Sequence, residues 1–136
     1  MKKQEIIIWG KPIAKKRPRF ARRGKFVVTY NCQETEEGRW LWEAKHQIKH
    51  KAEKGKAVAL KCWFIFDFPK SMSKKKRAEA VHTKKPDLDN LVKFVKDCLN
   101  GIAWHDDSQV VSLVAKKMYA YEGEGARTEI IIAIEE

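Results

Sequence analysis

The sequence predicts an α/β fold of the α+β type: one domain over residues 1–136, with a mixed β-sheet of about four to five strands, helices packed on it and a C-terminal antiparallel hairpin. Three observations carry this. Residues 57–68 alternate, with Val58, Leu60, Cys62, Phe64, Phe66 and Phe68 on one face and Lys61 and Asp67 on the other, the period of a strand. Residues 34–54 and 90–102 instead repeat apolar side chains at helical spacing. Two β-prone runs close the chain on either side of a Glu122-Gly123-Glu124-Gly125 turn.

Each element has its own justification. Glu5–Trp9 reads as a first strand. Residues 10–25 are basic and irregular, because Pro12 and Pro18 exclude regular helix. Phe26–Tyr30 is a short β-prone run after the Arg23-Gly24 turn signal. Trp40, Leu41, Ala44, Ile48 and Ala52 form the apolar stripe of the first helix, with Gly55 as its terminal cap. Pro69 stops the alternating strand, and Ser71 or Ser73 caps a short basic helix over Lys74–Val81. Pro86 disfavours helix at Lys85, so the chain enters Asp87 extended. Leu91, Phe94, Val95, Cys98, Leu99 and Ile102 then form one buried stripe, ended by Asn100-Gly101. Ser108–Tyr121 and Arg127–Ile134 are the closing strands.

Bulk properties narrow the function. No stretch approaches the roughly 18 apolar residues of a membrane span. The Ile6–Trp9 run is too short for a signal-peptide core, which makes a cytoplasmic protein the default expectation. Cys32, Cys62 and Cys98 are widely spaced and odd in number, fitting neither a disulfide framework nor a zinc pattern. The formal net charge is +11, which points to a polyanionic partner. Residues 1–26 hold ten Lys or Arg against Glu5, and residues 70–85 hold seven against Glu79.

Acids nevertheless gather at two points, Asp87/Asp89 and Asp106/Asp107. Acids make poor phosphate contacts but good ligands for Mg²⁺, which prefers hard oxygen donors. A helix start favours a carboxylate by about 0.3–1 kcal/mol. That accounts for one Asp, not for both pairs together with Asn90. Carboxylates brought within about 4 Å repel by about 4 kcal/mol per pair at an effective dielectric near 20. A bound cation relieves this, so the constellation reads as a metal site within a DNA-binding surface, the equipment of a metal-dependent nuclease. Lys93 follows Asp89 by four residues and shares its helix face, either as an ion-pair partner or aimed at a scissile phosphate. Of the adjacent Asp106 and Asp107, strand geometry turns only one directly into a site.

These motifs carry a family resemblance. The D-L-D-N-L-x-K run at Asp87–Lys93 and the D-D-x-Q-V run at Asp106–Val110 resemble those of the RusA-type Holliday-junction resolvases. So do Lys15-Lys16-Arg17-Pro18-Arg19, Pro69–Lys76 and Lys117-x-Tyr119, in the family's order and over nearly the whole chain. The resemblance implies a homodimeric, Mg²⁺- or Mn²⁺-dependent endonuclease that nicks four-way DNA junctions symmetrically in recombination and repair. It implies Asp87, Asp89 and Asp107 as metal-binding acids, Asp106 as an assisting acid and Lys93 as the catalytic lysine. Lys15, Lys16, Arg17, Arg19, Arg22, Arg23, Lys74, Lys75, Lys76 and Lys117 are the expected DNA contacts. Proteins of this type are often carried by phages and prophages, which suits so small a chain.

The competing classes are a non-catalytic basic nucleic-acid-binding module and a metal nuclease acting on other branched DNA. Among the remaining candidates, His46 and His50 are spaced as metal ligands but lack a third, and read as a solvated helix face. His105 adjoins the acid pair and is placed to shuttle a proton. Trp9, Trp40 and Trp63 read as core, and Phe20 as a stacking or wedge residue in the basic segment.

Overall fold

Parallel neighbouring strands cannot be joined by a tight turn, and the centre of this fold contains such a pair. The computed structural model describes residues 1–16, 19–23, 26–30, 34–121 and 123–136, with side chains outside 17–35. In chain order the elements are β1 (Lys2–Trp9), β2 (Arg19–Arg23), β3 (Phe26–Tyr30), α1 (Glu34–Gln47), β4 (Val58–Phe66), α2 (Lys74–Arg77), α3 (Leu88–Leu99), β5 (Val110–Tyr119) and β6 (Arg127–Ile134). A single 3₁₀ turn, Asp107–Gln109, leads into β5. The main sheet has the order β1-β6-β4-β5, with β4 and β5 parallel and the other pairs antiparallel. Helix α3 makes the crossover between β4 and β5, so it runs antiparallel to both.

The inner face of this sheet is apolar. Ile6, Ile8, Leu60, Cys62, Phe64, Ile130 and Ile132 are buried there, with Leu91, Phe94, Val95, Cys98 and Leu99 of α3 and Trp40 and Ala44 of α1 in the same cluster. Trp40 meets Phe94 edge-on, 5.5 Å between ring centres, which ties α1 to α3. Burial pushes the thiols of Cys62 and Cys98 up to about 12, so both are inert packing groups. No helix among the described residues is long and apolar enough to cross a membrane.

The mixed sheet with helices packed on it matches the fold class read from the sequence, and five details differ. The closing strands run antiparallel to one another, as expected of a hairpin, but β4 lies between them and each hydrogen-bonds to β4. The crossover through α3 puts β5 on the outside, so the last connection must pass back over β4. Helix α1 stops at Gln47, short of residue 54, because that side chain leaves the helix pattern to bridge the backbone of edge strand β1. It accepts from Ile7 N and donates to Ile7 O, both at 2.8 Å. The Gln4 amide then pins the following turn, accepting from Lys49 N at 2.9 Å and donating to His50 O. Arg19–Arg23, expected to be irregular, forms a two-stranded ladder with Phe26–Tyr30. The short basic helix ends at Arg77, and Ser73 is its cap, accepting from Lys76 N. Trp9, expected in the core, lies on the outer face of the sheet, 58% exposed, with the Arg127 guanidinium over its ring at 5.5 Å.

Replacing Trp40 by Ala is expected to lower unfolding stability by about 3–5 kcal/mol, through the cavity left under α3. Urea denaturation monitored by far-UV circular dichroism measures this, and a loss under about 1 kcal/mol would contradict the packing of α3 on Trp40.

Candidate functional site

The chain leaving β4 is held down by aromatic stacking. Phe68 stacks on Tyr119 of β5 at 4.6 Å, and His82 lies between Phe66 (4.3 Å) and Tyr119 (4.9 Å). The Arg77 guanidinium sits over Phe68 at 5.2 Å. These contacts fasten α2, with Lys74, Lys75 and Lys76, to the ends of β4 and β5. The Lys117 ammonium then donates to Lys84 O at 2.7 Å and Pro86 O at 3.0 Å. Lys117 therefore ties the approach to Asp87 onto β5, a role its spacing did not reveal.

Asp87 is the N-cap of α3, extended at φ −69° and ψ 142°, and its carboxylate makes no capping bond. Asp89 lies in the first turn of α3 and Lys93 one turn further on, all three exposed. The i,i+4 ion pair open to Asp89 and Lys93 does not form. Lys15 donates its backbone N–H to Asn90 O at 2.9 Å, and its ammonium lies 3.5 Å from Asp97. Residues 11–16 border Pro86, so Lys15 and Lys16 stand at the same end of the molecule as Asp87 and Asp89. Arg17, and the side chains of Arg19, Phe20, Arg22, Arg23 and Cys32, lie outside the described residues.

The second acid pair is built differently. Asp106 caps the 3₁₀ turn, and the Ser108 amide donating to it at 2.9 Å holds its carboxyl below the ordinary carboxylate range. Asp107 accepts from the indole N–H of the fully buried Trp104 at 2.9 Å. The organiser is Gln109. Its Oε1 accepts from His105 N (2.8 Å) and Asp106 N (3.0 Å), and its Nε2 donates to Glu53 O (2.8 Å) and Lys56 O (3.0 Å). One buried amide thus fixes the acid loop to the segment before β4. The D-x-x-Q spacing of a capping box at Asp106–Gln109 was the available signal.

The crossover separates the two acid pairs within one chain. Asp87 and Asp89 stand where β4 and β5 end; Asp106 and Asp107 stand where β5 begins. Twelve residues of α3 span about 18 Å, and the ten of β5 about 33 Å. Among the described residues no group of three or more His, Cys, Asp or Glu gathers as a ligand set. Asp87 and Asp89 still suit Mg²⁺, which commonly takes one or two carboxylates and completes its shell with water and substrate phosphates. His46 turns back to Trp42, its Nδ1 2.8 Å from Trp42 O, and His50 lies beyond the helix, so the two do not form a ligand pair.

His82 carries a pH signature. Its ring is buried, and its Nδ1 has no hydrogen-bond partner among the described residues. Desolvation lowers its pKa below the ordinary 6.5. The unfolded chain therefore binds the proton more readily. Stability from the neutral ring is present above about pH 6.5 and is lost as the pH falls through the folded-state value.

A family model described as Endodeoxyribonuclease RusA matches residues 10–133. An uncharacterized protein of Bacillus subtilis (strain 168), YqaN, is 34% identical over 136 residues, a match covering 94% of each chain.

Two outcomes follow. Gln109→Ala strands two carbonyls and two amides and is expected to cost about 2–3 kcal/mol, read as a lowered urea midpoint; an unchanged midpoint contradicts its organising role. Melting temperature is expected to fall between pH 7 and pH 5 more steeply in the wild-type chain than in His82→Phe, which keeps the aromatic stack without the titrating nitrogen. Parallel pH profiles would contradict the assignment.

Proposed function

Because the chain belongs to the RusA endodeoxyribonuclease family, whose nucleases act on branched DNA junctions, we propose that it is a Mg²⁺-dependent resolvase of four-way junctions, with Mn²⁺ as a substitute, that makes paired symmetric nicks. The carrying observation is the exposed Asp87/Asp89 pair at the start of α3, with Lys93 one turn on and cationic segments on both sides.

When bound, the metal supplies a polarised water and neutralises charge on the scissile phosphate. Asp87 and Asp89 hold it with hard oxygens. Lys93, about 5–6 Å along the same helix face, steadies charge on the phosphate oxygens. Lys15, Lys16, Lys74, Lys75 and Lys76 grip backbone phosphates and orient the junction without reading bases. Lys117 serves by holding Pro86, and with it Asp87, in place. Asp107 stands too far from Asp87 of its own chain to share a metal, so its ligand role belongs to a second copy of the chain. In a two-fold dimer, Asp107 of each copy completes the Asp87/Asp89 site of the other, with Asp106 assisting from the same loop. Two equivalent sites match the approximate two-fold symmetry of a four-way junction.

A binding module without catalysis would keep the cationic surface and use the acids only as caps. The deciding assay is nicking of an end-labelled four-way junction against linear duplex, with Mg²⁺ and with EDTA. Paired nicks on the junction alone, only with Mg²⁺, are expected. Asp89→Asn is expected to lower the nicking rate by about 100-fold or more while junction binding stays intact or tightens. Junction binding without nicking in Mg²⁺ or Mn²⁺ would defeat the proposal, as would an Asp89→Asn chain that nicks at the wild-type rate.

A further inference from the structure

Strand β5 has β4 on one side and no strand on the other among the described residues. Its first half is apolar and open: Val111 is 70% exposed, Leu113 45% and Val114 46%. Its second half is partly covered, with Tyr119 in the stack with Phe68 and His82 and Lys117 bonded to Lys84 and Pro86. An edge of unpaired N–H and C=O groups carrying exposed β-branched side chains is a template for a further strand, and no charged or proline residue blunts Val110–Val114.

We propose that this edge is a self-association surface: β5 pairs antiparallel with β5 of a second copy, about a two-fold axis at Ser112. The proposal rests on the dimeric reading above and names its interface. The open half of the strand fixes the register. With the axis at Ser112, Val111 faces Leu113 of the partner subunit, and Val110 faces Val114 of the partner subunit. The exposed apolar side chains thus cover one another, and the two four-stranded sheets become one continuous sheet.

Charge supports a second copy over a foreign strand. β5 is acidic at its start, with Asp106 and Asp107, and cationic at its end, with Lys116 and Lys117 and, beside them, Lys84 and Lys85. Antiparallel self-pairing sets each acidic start against a cationic end, and the two-fold repeats the match. The same register carries Asp107 to the level of Lys117 of the partner subunit. That lysine holds the segment leading to Asp87, so the pairing brings together the two acid clusters that the crossover separates within one chain.

The test needs neither DNA nor metal, so its failure is distinct from failure of the nuclease reading. In a Cys32→Ser background, Ser112→Cys places one thiol at the axis, while Cys62 and Cys98 stay buried. Strand neighbours across such an axis lie about 4.5–5.5 Å apart at Cα, within disulfide reach. Diamide oxidation is expected to give a reducible covalent dimer, while Lys61→Cys on the exposed outer face of β4 gives none. Sedimentation is expected to show a wild-type dimer and, for Val111→Glu/Leu113→Glu, a folded chain whose dimer dissociation constant is raised about 100-fold or more. A monomeric wild-type chain at micromolar concentration would overturn the proposal. So would a dimer that survives Val111→Glu/Leu113→Glu and does not cross-link at residue 112, even if Asp89→Asn still abolished nicking.

Discussion

The parallel pairing of β4 with β5 is the constraint from which the rest follows. Two parallel neighbours require a crossover, and the apolar stripe of α3 makes that crossover a helix buried on the inner face. Once α3 lies antiparallel to both strands, its start and its end are assigned to opposite edges of the sheet. The residues before the helix collect at one edge, and those before the next strand collect at the other. Each acid pair is therefore built by a separate local device: aromatic stacking and the Lys117 tether at Asp87, and the buried Gln109 amide at Asp106 and Asp107.

The two devices differ in chemistry because the two edges differ in cover. At the end of β5 the chain makes a long excursion between Phe66 and Leu88. Stacking of Phe68, His82 and Tyr119 fixes this excursion through rings, so its anchoring does not depend on the ammonium groups of Lys74, Lys75 and Lys76. At the start of β5 the loop is short and its amides are half-buried. Hydrogen bonds to one glutamine satisfy them more economically than packing would. Asp87 is left uncommitted at the head of a helix, where the backbone dipole favours its charge and, equally, an approaching phosphate.

Much of this was legible in the sequence, wherever the determinant was local. The period-two run at residues 57–68, the stripe from Leu91 to Leu99 and the Asn100-Gly101 stop appear in the structure within two or three residues. The departures came where distant partners decide. Nothing near Gln47 signals that its amide will bridge Ile7, forty residues away, and end the helix. The alternating pattern of β6 suits a hairpin with β5 as well as it suits a place between β1 and β4; the crossover handedness and the burial of both faces of β4 decide that. Trp9 is an apolar residue in a strand, and only the sheet order puts it on the outer face. The motif residues Asp87, Asp89, Asp106 and Asp107 could be named from the sequence. Their separation within one chain could not, because it is a property of topology.

That separation makes the central claim, an active site divided between two copies, open to a direct test. Asp89→Asn and Asp107→Asn chains, each inactive alone, are mixed after brief dissociation and assayed on a four-way junction with Mg²⁺. In a divided site, each mixed dimer holds one intact set of acids and one doubly damaged set. With random exchange about half of the dimers are mixed, so about a quarter of the wild-type sites return, cutting one strand per junction. If all the acids of a site came from one chain, mixing would restore nothing, and that result would contradict the divided site.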